Sequence, residues 1–166
     1  VMEANMIIRG AVIGDLDGIN NIYNEAVQNS TATFDTVEKT YEERLTWFKK
    51  RDERFVVLVA EINGEIAGWA SLNQYSDRKA YDMTCENSLY VNVKFRRQGV
   101  GQKLLEASIT AAKKNKFHSI LSRITKENSV SLVMHERAGF FRVGTMIEVG
   151  EKFGKMLDVE LMQKII

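Results

Sequence analysis

Proline is absent from the chain, cysteine occurs once, and neither sign of charge prevails. With no proline, no low-complexity segment and no internal repeat, no linker divides residues 1–166, and one domain is expected. The lone cysteine, Cys85, excludes an internal disulfide and any cysteine-rich metal site. Against 22 Asp and Glu, 23 Lys and Arg leave a formal net charge of +1 with no basic tract, so nucleic acid is not an expected partner. No apolar run reaches the ~18 residues that a bilayer span needs, so no membrane is expected either. The opening "VMEANMIIRG" lacks a basic region followed by an apolar run, the mark of a signal peptide, and a cytoplasmic protein is expected. What is present is ordinary for a soluble globular chain: 45% hydrophobic and 27% charged residues over 166 positions, enough for one real core.

Patterning predicts the order β-α-α-β-β-β-α-β-α-β-β. "MIIRGAV" (6–12) suits a strand. "DLDGINNIYNEAVQN" then places Leu16, Ile19, Ile22, Tyr23, Ala26 and Val27 at helical spacing, with Asp15 as N-cap. Thr40-Tyr41-Glu42-Glu43 reads as a capping box. "FVVLVAEI" and "EIAGWASL" flank Asn63-Gly64, the strongest short hairpin signal. Strands at "NSLYVNV" (87–93) and "SILSRI" (119–124) enclose a helix from about residue 100. A further helix, "SVSLVMHERA", starts at Asn128-Ser129 and stops at Gly139. The tail, punctuated by Gly144, Gly150 and Gly154, reads as two more strands. The expected fold is a mixed twisted α/β sheet, antiparallel in its first half and parallel where helices separate the later strands, with helices on both faces.

One stretch asks for a ligand. "VKFRRQGVGQKLLEASITAAKK" (93–114) sets Arg96 and Arg97 beside Gly99 and Gly101 at a helix entrance. Glycine there lets the backbone approach a ligand, the helix's first N–H groups lack partners, and two fixed cations add charge. That combination suits a phosphate. A Walker loop is excluded because no Gly-x4-Gly-Lys-Ser/Thr run exists. A Rossmann fingerprint is excluded because Leu104 stands where its third small residue belongs.

The loop Arg96-Arg97-Gln98-Gly99-Val100-Gly101 resembles the acetyl-CoA pyrophosphate loop of the GNAT superfamily of N-acetyltransferases. Matches continue along nearly the whole chain: "IYNEAV", "TATF", "RFVVLVAEINGEIAGWASL", "ENSLYV", "NSVSLVMHERAGF" and "VGEKFGKMLDVELMQ" all look like the phosphinothricin and methionine sulfoximine acetyltransferase branch. The resemblance implies a GNAT fold, acetyl-CoA as cosubstrate, no metal, a homodimer, and direct transfer of acetyl to the amine of a small amino-acid-like substrate. It implies a pyrophosphate cradle at Arg96, Arg97, Gln98, Gly99, Val100, Gly101 and Gln102. The pantetheine arm is then expected along Leu89, Tyr90 and Val91. Asn128 and Ser131 are expected at that arm, although Asn128 also reads as a plain N-cap.

Acetyl transfer needs a neutral amine, and alkyl amines are mostly protonated at neutral pH, so a base is useful. The resemblance gives that role to Glu86, with a backbone N–H near Val91 as oxyanion donor. Cys85 should face away from Glu86, since neighbouring strand residues alternate, and it reads as a structural thiol. His135 matches the histidine of the branch's "LHERLGF"-type motif and stays open between proton transfer and simple packing. His118 reads as a surface residue. "YSDRKAYDMT" aligns with a segment that typically runs aromatic-Arg-x-Arg-x-Ala-Tyr-Arg-x-Thr. Arg78 and Tyr81 match as substrate binders together with Glu86, whereas Ser76 and Asp82 stand where arginines are usual. Phe34 walls the substrate pocket or belongs to the core. The alternatives are acetylation of peptide N-termini or polyamines, and a catalytically idle acyl-CoA-binding module.

Overall fold

The computed structural model describes residues 5–166; of the opening segment, residues 1–4 lie outside the description. The elements are β1 (Met6–Gly10), α1 (Leu16–Asn29), α2 (Tyr41–Lys49), β2 (Val57–Ile62), β3 (Glu65–Gln74), β4 (Thr84–Val91), α3 (Val100–Lys114), β5 (Ser119–Thr125), α4 (Ser129–Arg137), β6 (Phe141–Lys152) and β7 (Lys155–Ile165). That is the order expected from patterning, with short 3-10 turns added at Ile13–Asp15, Lys79–Tyr81 and Val93–Phe95. All seven strands lie in one sheet, ordered β1-β2-β3-β4-β5-β7-β6.

Local signals explain most boundaries. Thr40 accepts from the Glu43 N–H at 3.2 Å and Glu43 accepts from the Thr40 N–H at 2.7 Å, closing the capping box that starts α2. Asn63 and Gly64 both take positive φ, which sets the two-residue turn between β2 and β3. Asn128 accepts from the Ser131 N–H at 3.2 Å and caps α4. Asp15 departs from expectation. It sits at the N-cap position of α1 but makes no cap bond; its carboxylate instead takes two hydrogen bonds from Arg9, at 2.7 and 2.9 Å. It also accepts from the Val12 N–H at 2.8 Å, so the arginine fork and the turn before α1 take up both oxygens.

Parallel pairing is narrower than the helix-separated order suggests. Among the described residues only β4 and β5 pair in parallel. The α4 crossover carries β6 to one strand's remove from β5, and β7 returns through the gap, antiparallel to both. The tight turn at Phe153-Gly154 forces that return.

Alternation along the central strands divides the core. Trp69 and Val59 face α1 and α2, packing on Leu16, Ile19 and Ile22. Ala70 and Ala60 face α3, packing on Val100 and Leu104. Leu72 and Cys85 continue that second face toward Leu105, Ile120 and Met162. Helices thus cover both sides.

Candidate active site

The two edges of β4 end differently. Toward β3 the ladder is continuous from Gln74–Cys85 to Gly68–Val91. Toward β5 it holds only Thr84–Ser119, Cys85–Ile120 and Glu86–Leu121, although β4 runs on to Val91 and β5 to Thr125. Past Glu86 the strands part. Backbone groups of Asn87–Val91 that point toward β5 therefore meet no strand partner, a cost that a folded chain accepts where another chain or ligand can pair. A cavity of about 340 Å³ fills the gap.

Of the residues expected from sequence, the cavity gathers Phe34, Glu86, Leu89, Tyr90, Asn128, Ser131 and His135. Arg78 and Tyr81 are not among its lining; both are exposed, and Tyr81 packs edge-on against Tyr75 at 5.1 Å. The loop at 96–102 lies beyond Val91, at the α3 entrance. There Arg97 and Gly99 adopt φ of 62° and 79°. Alternating left-handed residues turn successive N–H groups to one side as an anion nest. Among the described residues, no acceptor meets the backbone N–H groups of Arg97 through Gln102; the first α3 bond runs from the Lys103 N–H to the Gly99 carbonyl. Val100 is buried in the core, so only its backbone is offered. A Cβ on Gly101 would lie 3.2 Å from Met134 Sδ and 3.5 Å from Val91 Cγ2, which keeps the helix entrance tight against β4. Arg96 stands 3.8 Å from Glu25.

Glu86 lies with Ser88 and Tyr90 on the α1 face of β4. Both its oxygens accept from Arg123, at 3.0 Å from Nε and 2.7 Å from Nη2. The pairing raises the Arg123 guanidinium above its ordinary value. Arg123 was not expected from sequence, though a lone charge inside the otherwise apolar and small "SILSRIT" was a signal. Cys85 points to the opposite face, fully buried, and burial pushes its thiol up to about 12. A thiol so placed is no nucleophile.

His135 is buried and its pKa is lowered by that burial. Its Nδ1 lies 2.8 Å from the Ser131 carbonyl, which can only accept, so Nδ1 carries the proton and Nε2 is the acceptor. Asn87 Nδ2 faces Nε2 at 3.5 Å, and Ser122 donates to Asn87 Oδ1. Phe140 closes the ring's edge at 5.0 Å.

Residues 31–34 form the remaining wall. Lys152, 3% exposed, donates through Nζ to the carbonyls of Ser30 at 2.6 Å, Thr33 at 2.8 Å and Ala26 at 3.3 Å. Thr125 Oγ1 donates to the Thr31 carbonyl at 2.8 Å from the other side. Phe34 lies over Gly150, where a Cβ would fall 2.2 Å from its ring, so only glycine admits it.

The profile of the acetyltransferase (GNAT) domain matches residues 8–161. The chain belongs to the GNAT acetyltransferase family. A curated relative, the L-methionine sulfoximine/L-methionine sulfone acetyltransferase of Pseudomonas aeruginosa, is 37% identical over 94% of this chain and 92% of its own. The phosphinothricin N-acetyltransferase of Streptomyces viridochromogenes is 31% identical over 95% of this chain and 86% of its own. Among solved structures, a GNAT superfamily phosphinothricin acetyltransferase from Sinorhizobium meliloti in complex with acetyl-CoA superposes with a TM-score of 0.93. It is 29% identical over 99% of this chain and 89% of its own. This chain is accordingly an acetyl-CoA-dependent N-acetyltransferase, with acetyl-CoA as cosubstrate. Its open β4 edge and the unpartnered N–H run at 97–102 fit the amides and the pyrophosphate of that molecule.

Proposed function

We propose that this GNAT enzyme, acting as a single domain, acetylates the α-amine of a small amino-acid-like substrate of the methionine sulfone, methionine sulfoximine or phosphinothricin type. The observation that carries the reading is Glu86, which lies in the cavity on the strand whose free edge begins one residue later. The names of the relatives support the substrate class. Acetyl-CoA supplies an acetyl group activated as a thioester. The N–H groups of residues 97–102, with Arg96 and Arg97, hold its pyrophosphate, while Leu89, Tyr90 and Val91 pair with its arm and Asn128 and Ser131 border that arm. Glu86 takes a proton from the substrate ammonium, directly or through water, and frees the nitrogen lone pair. A free N–H near Val91 is the donor to the carbonyl oxygen. His135, neutral with Nε2 as acceptor, stands next in line to move a proton. With Cys85 buried on the far face, transfer is direct: the C–N bond would form as the thioester C–S bond breaks, and the second proton shed by the nitrogen would pass, by way of His135 or water, to the departing thiolate, which leaves as the free thiol.

A homodimer is part of the same reading. Edge strand β6 exposes Phe141, Val143 and Ile147, apolar side chains on an unpaired edge that are left open to association. Acetyl-CoA dependence and an unpaired thiol support a cytoplasmic setting. Thiol release from acetyl-CoA across methionine sulfone, methionine sulfoximine, phosphinothricin, a polyamine and a peptide N-terminus tests the function. The amino-acid analogues should give the highest kcat/KM; preference for the polyamine or peptide would overturn the substrate class. Sedimentation should show two copies at assay concentration, and a fully active monomer would refute the dimer.

A further inference from the structure

Among the described residues, Arg123 and Glu86 are the only cation and the only carboxylate lining the cavity, beside the neutral ring of His135. Their contact uses one edge of the guanidinium, Nε and one N–H of Nη2. Among the described residues, the end-on edge, formed by Nη1 and the second N–H of Nη2, meets no acceptor. A planar guanidinium offers two parallel N–H groups there, the geometry that matches a carboxylate. Arg78, the sequence candidate for this task, is outside the cavity. We propose that Arg123 is the residue that binds the substrate's α-carboxylate, and that the Arg123–Glu86 pair recognises an amino-acid zwitterion as a unit.

The inference rests on the amino-acid reading above and gives it a chemical reason. In an α-amino acid the ammonium and carboxylate sit on one carbon, opposite charges held side by side. Arg123 and Glu86 form the complementary arrangement. A carboxylate on the end-on edge shares Nη2 with Glu86 Oε2, which places the neighbouring amine beside the carboxylate that must take its proton. One arginine therefore both selects the acid group and aims the nucleophile. The Arg123 side chain is 56% exposed, so an incoming anion reaches it without first unpacking the wall. An amine without the acid group lacks this anchor.

The test compares L-methionine sulfone with its decarboxylated amine, 3-(methylsulfonyl)propylamine, in the wild type, Arg123→Gln and Arg123→Lys. Arg123→Gln should raise KM for the amino acid by ~10–100-fold, the range of a charge-assisted fork, and leave KM for the amine within a few-fold. Arg123→Lys should restore only part of the loss, being a point charge rather than a fork. Equal losses on both substrates would show that Arg123 acts only through Glu86, and no loss on either would remove it from recognition; each overturns the proposal. Calorimetry with N-acetyl-L-methionine sulfone, which keeps the carboxylate but has no basic amine, reads the same contact without turnover. It should bind the wild type and lose ~10-fold or more in Arg123→Gln, and unchanged binding would overturn the proposal independently. A wild type that acetylates the amine but not the amino acid would sink this proposal and the substrate class while leaving the N-acetyltransferase reading intact.

Discussion

The two edges of β4 carry the same residues to opposite ends. Against β3, Cys85 through Val91 complete a ladder, and Trp69 stacks on Tyr90 at 5.1 Å as part of that seal. Against β5, pairing stops at Glu86, and the cavity begins where it stops. The lesson is that this site is an unfinished sheet. A strand with one satisfied edge is rigid enough to hold a geometry, and its other edge has hydrogen-bonding groups to offer. Glu86 sits at the junction, fixed by the last rung and facing the opening.

The largest expected effect breaks the chemistry at that junction. Glu86→Gln keeps the shape but cannot accept a proton, so kcat/KM for a basic amine should fall by ~10²–10⁴-fold with acetyl-CoA affinity unchanged by calorimetry. A loss of only a few-fold would mean that Glu86 positions substrate or water, and His135 would be the next residue to test. An amine already neutral at the assay pH should lose less.

Next in size is the helix entrance. At Gly101 a Cβ already meets Met134 and Val91, so Gly101→Val should push α3 from the open edge and weaken acetyl-CoA binding by ~10-fold or more. Calorimetry on the folded variant reads this, and unchanged affinity would remove the loop from the cofactor site. Lys152→Met should then cost about 1–3 kcal/mol in denaturant unfolding, because buried carbonyls at Ser30 and Thr33 lose their donor. It should also raise substrate KM more than acetyl-CoA KM, since the wall at 31–34 lines the cavity.

The smallest effect is in pH dependence. Burial holds the His135 pKa below its ordinary 6.5, so the unfolded chain binds a proton there that the folded chain refuses. Stability is therefore complete above pH 6.5 and declines as pH falls through 6.5 toward the lowered folded value. His135→Gln should flatten this part of a Tm-against-pH curve, and an unchanged slope would assign the decline to other groups.

Much of this comparison was legible in the sequence, for reasons that differ by residue. The loop at 96–102 could be read because its two glycines have local reasons, left-handed backbone at Gly99 and close approach to Met134 and Val91 at Gly101. Asn63-Gly64 and the Thr40–Glu43 box are equally local. Long-range competition was not legible. Asp15 carries an N-cap's residue type, yet Arg9 draws its carboxylate away. The insertion of β7 between β5 and β6 follows from a hairpin folding back into a gap that helix order alone does not reveal. Arg123 meets Glu86 across 37 residues of chain, and Lys152 meets Ser30 across 122. Arg78 matched a motif, but its segment lies outside the cavity.

Amide hydrogen exchange with and without acetyl-CoA tests the unfinished sheet most directly. Binding should slow exchange at those N–H groups of Asn87–Val91 that face β5 and at Arg97–Gln102, while the β3 amides from Gly68 to Leu72, already paired, should stay as they were. Protection that appeared elsewhere, with the open edge of β4 exchanging as fast as before, would contradict the account.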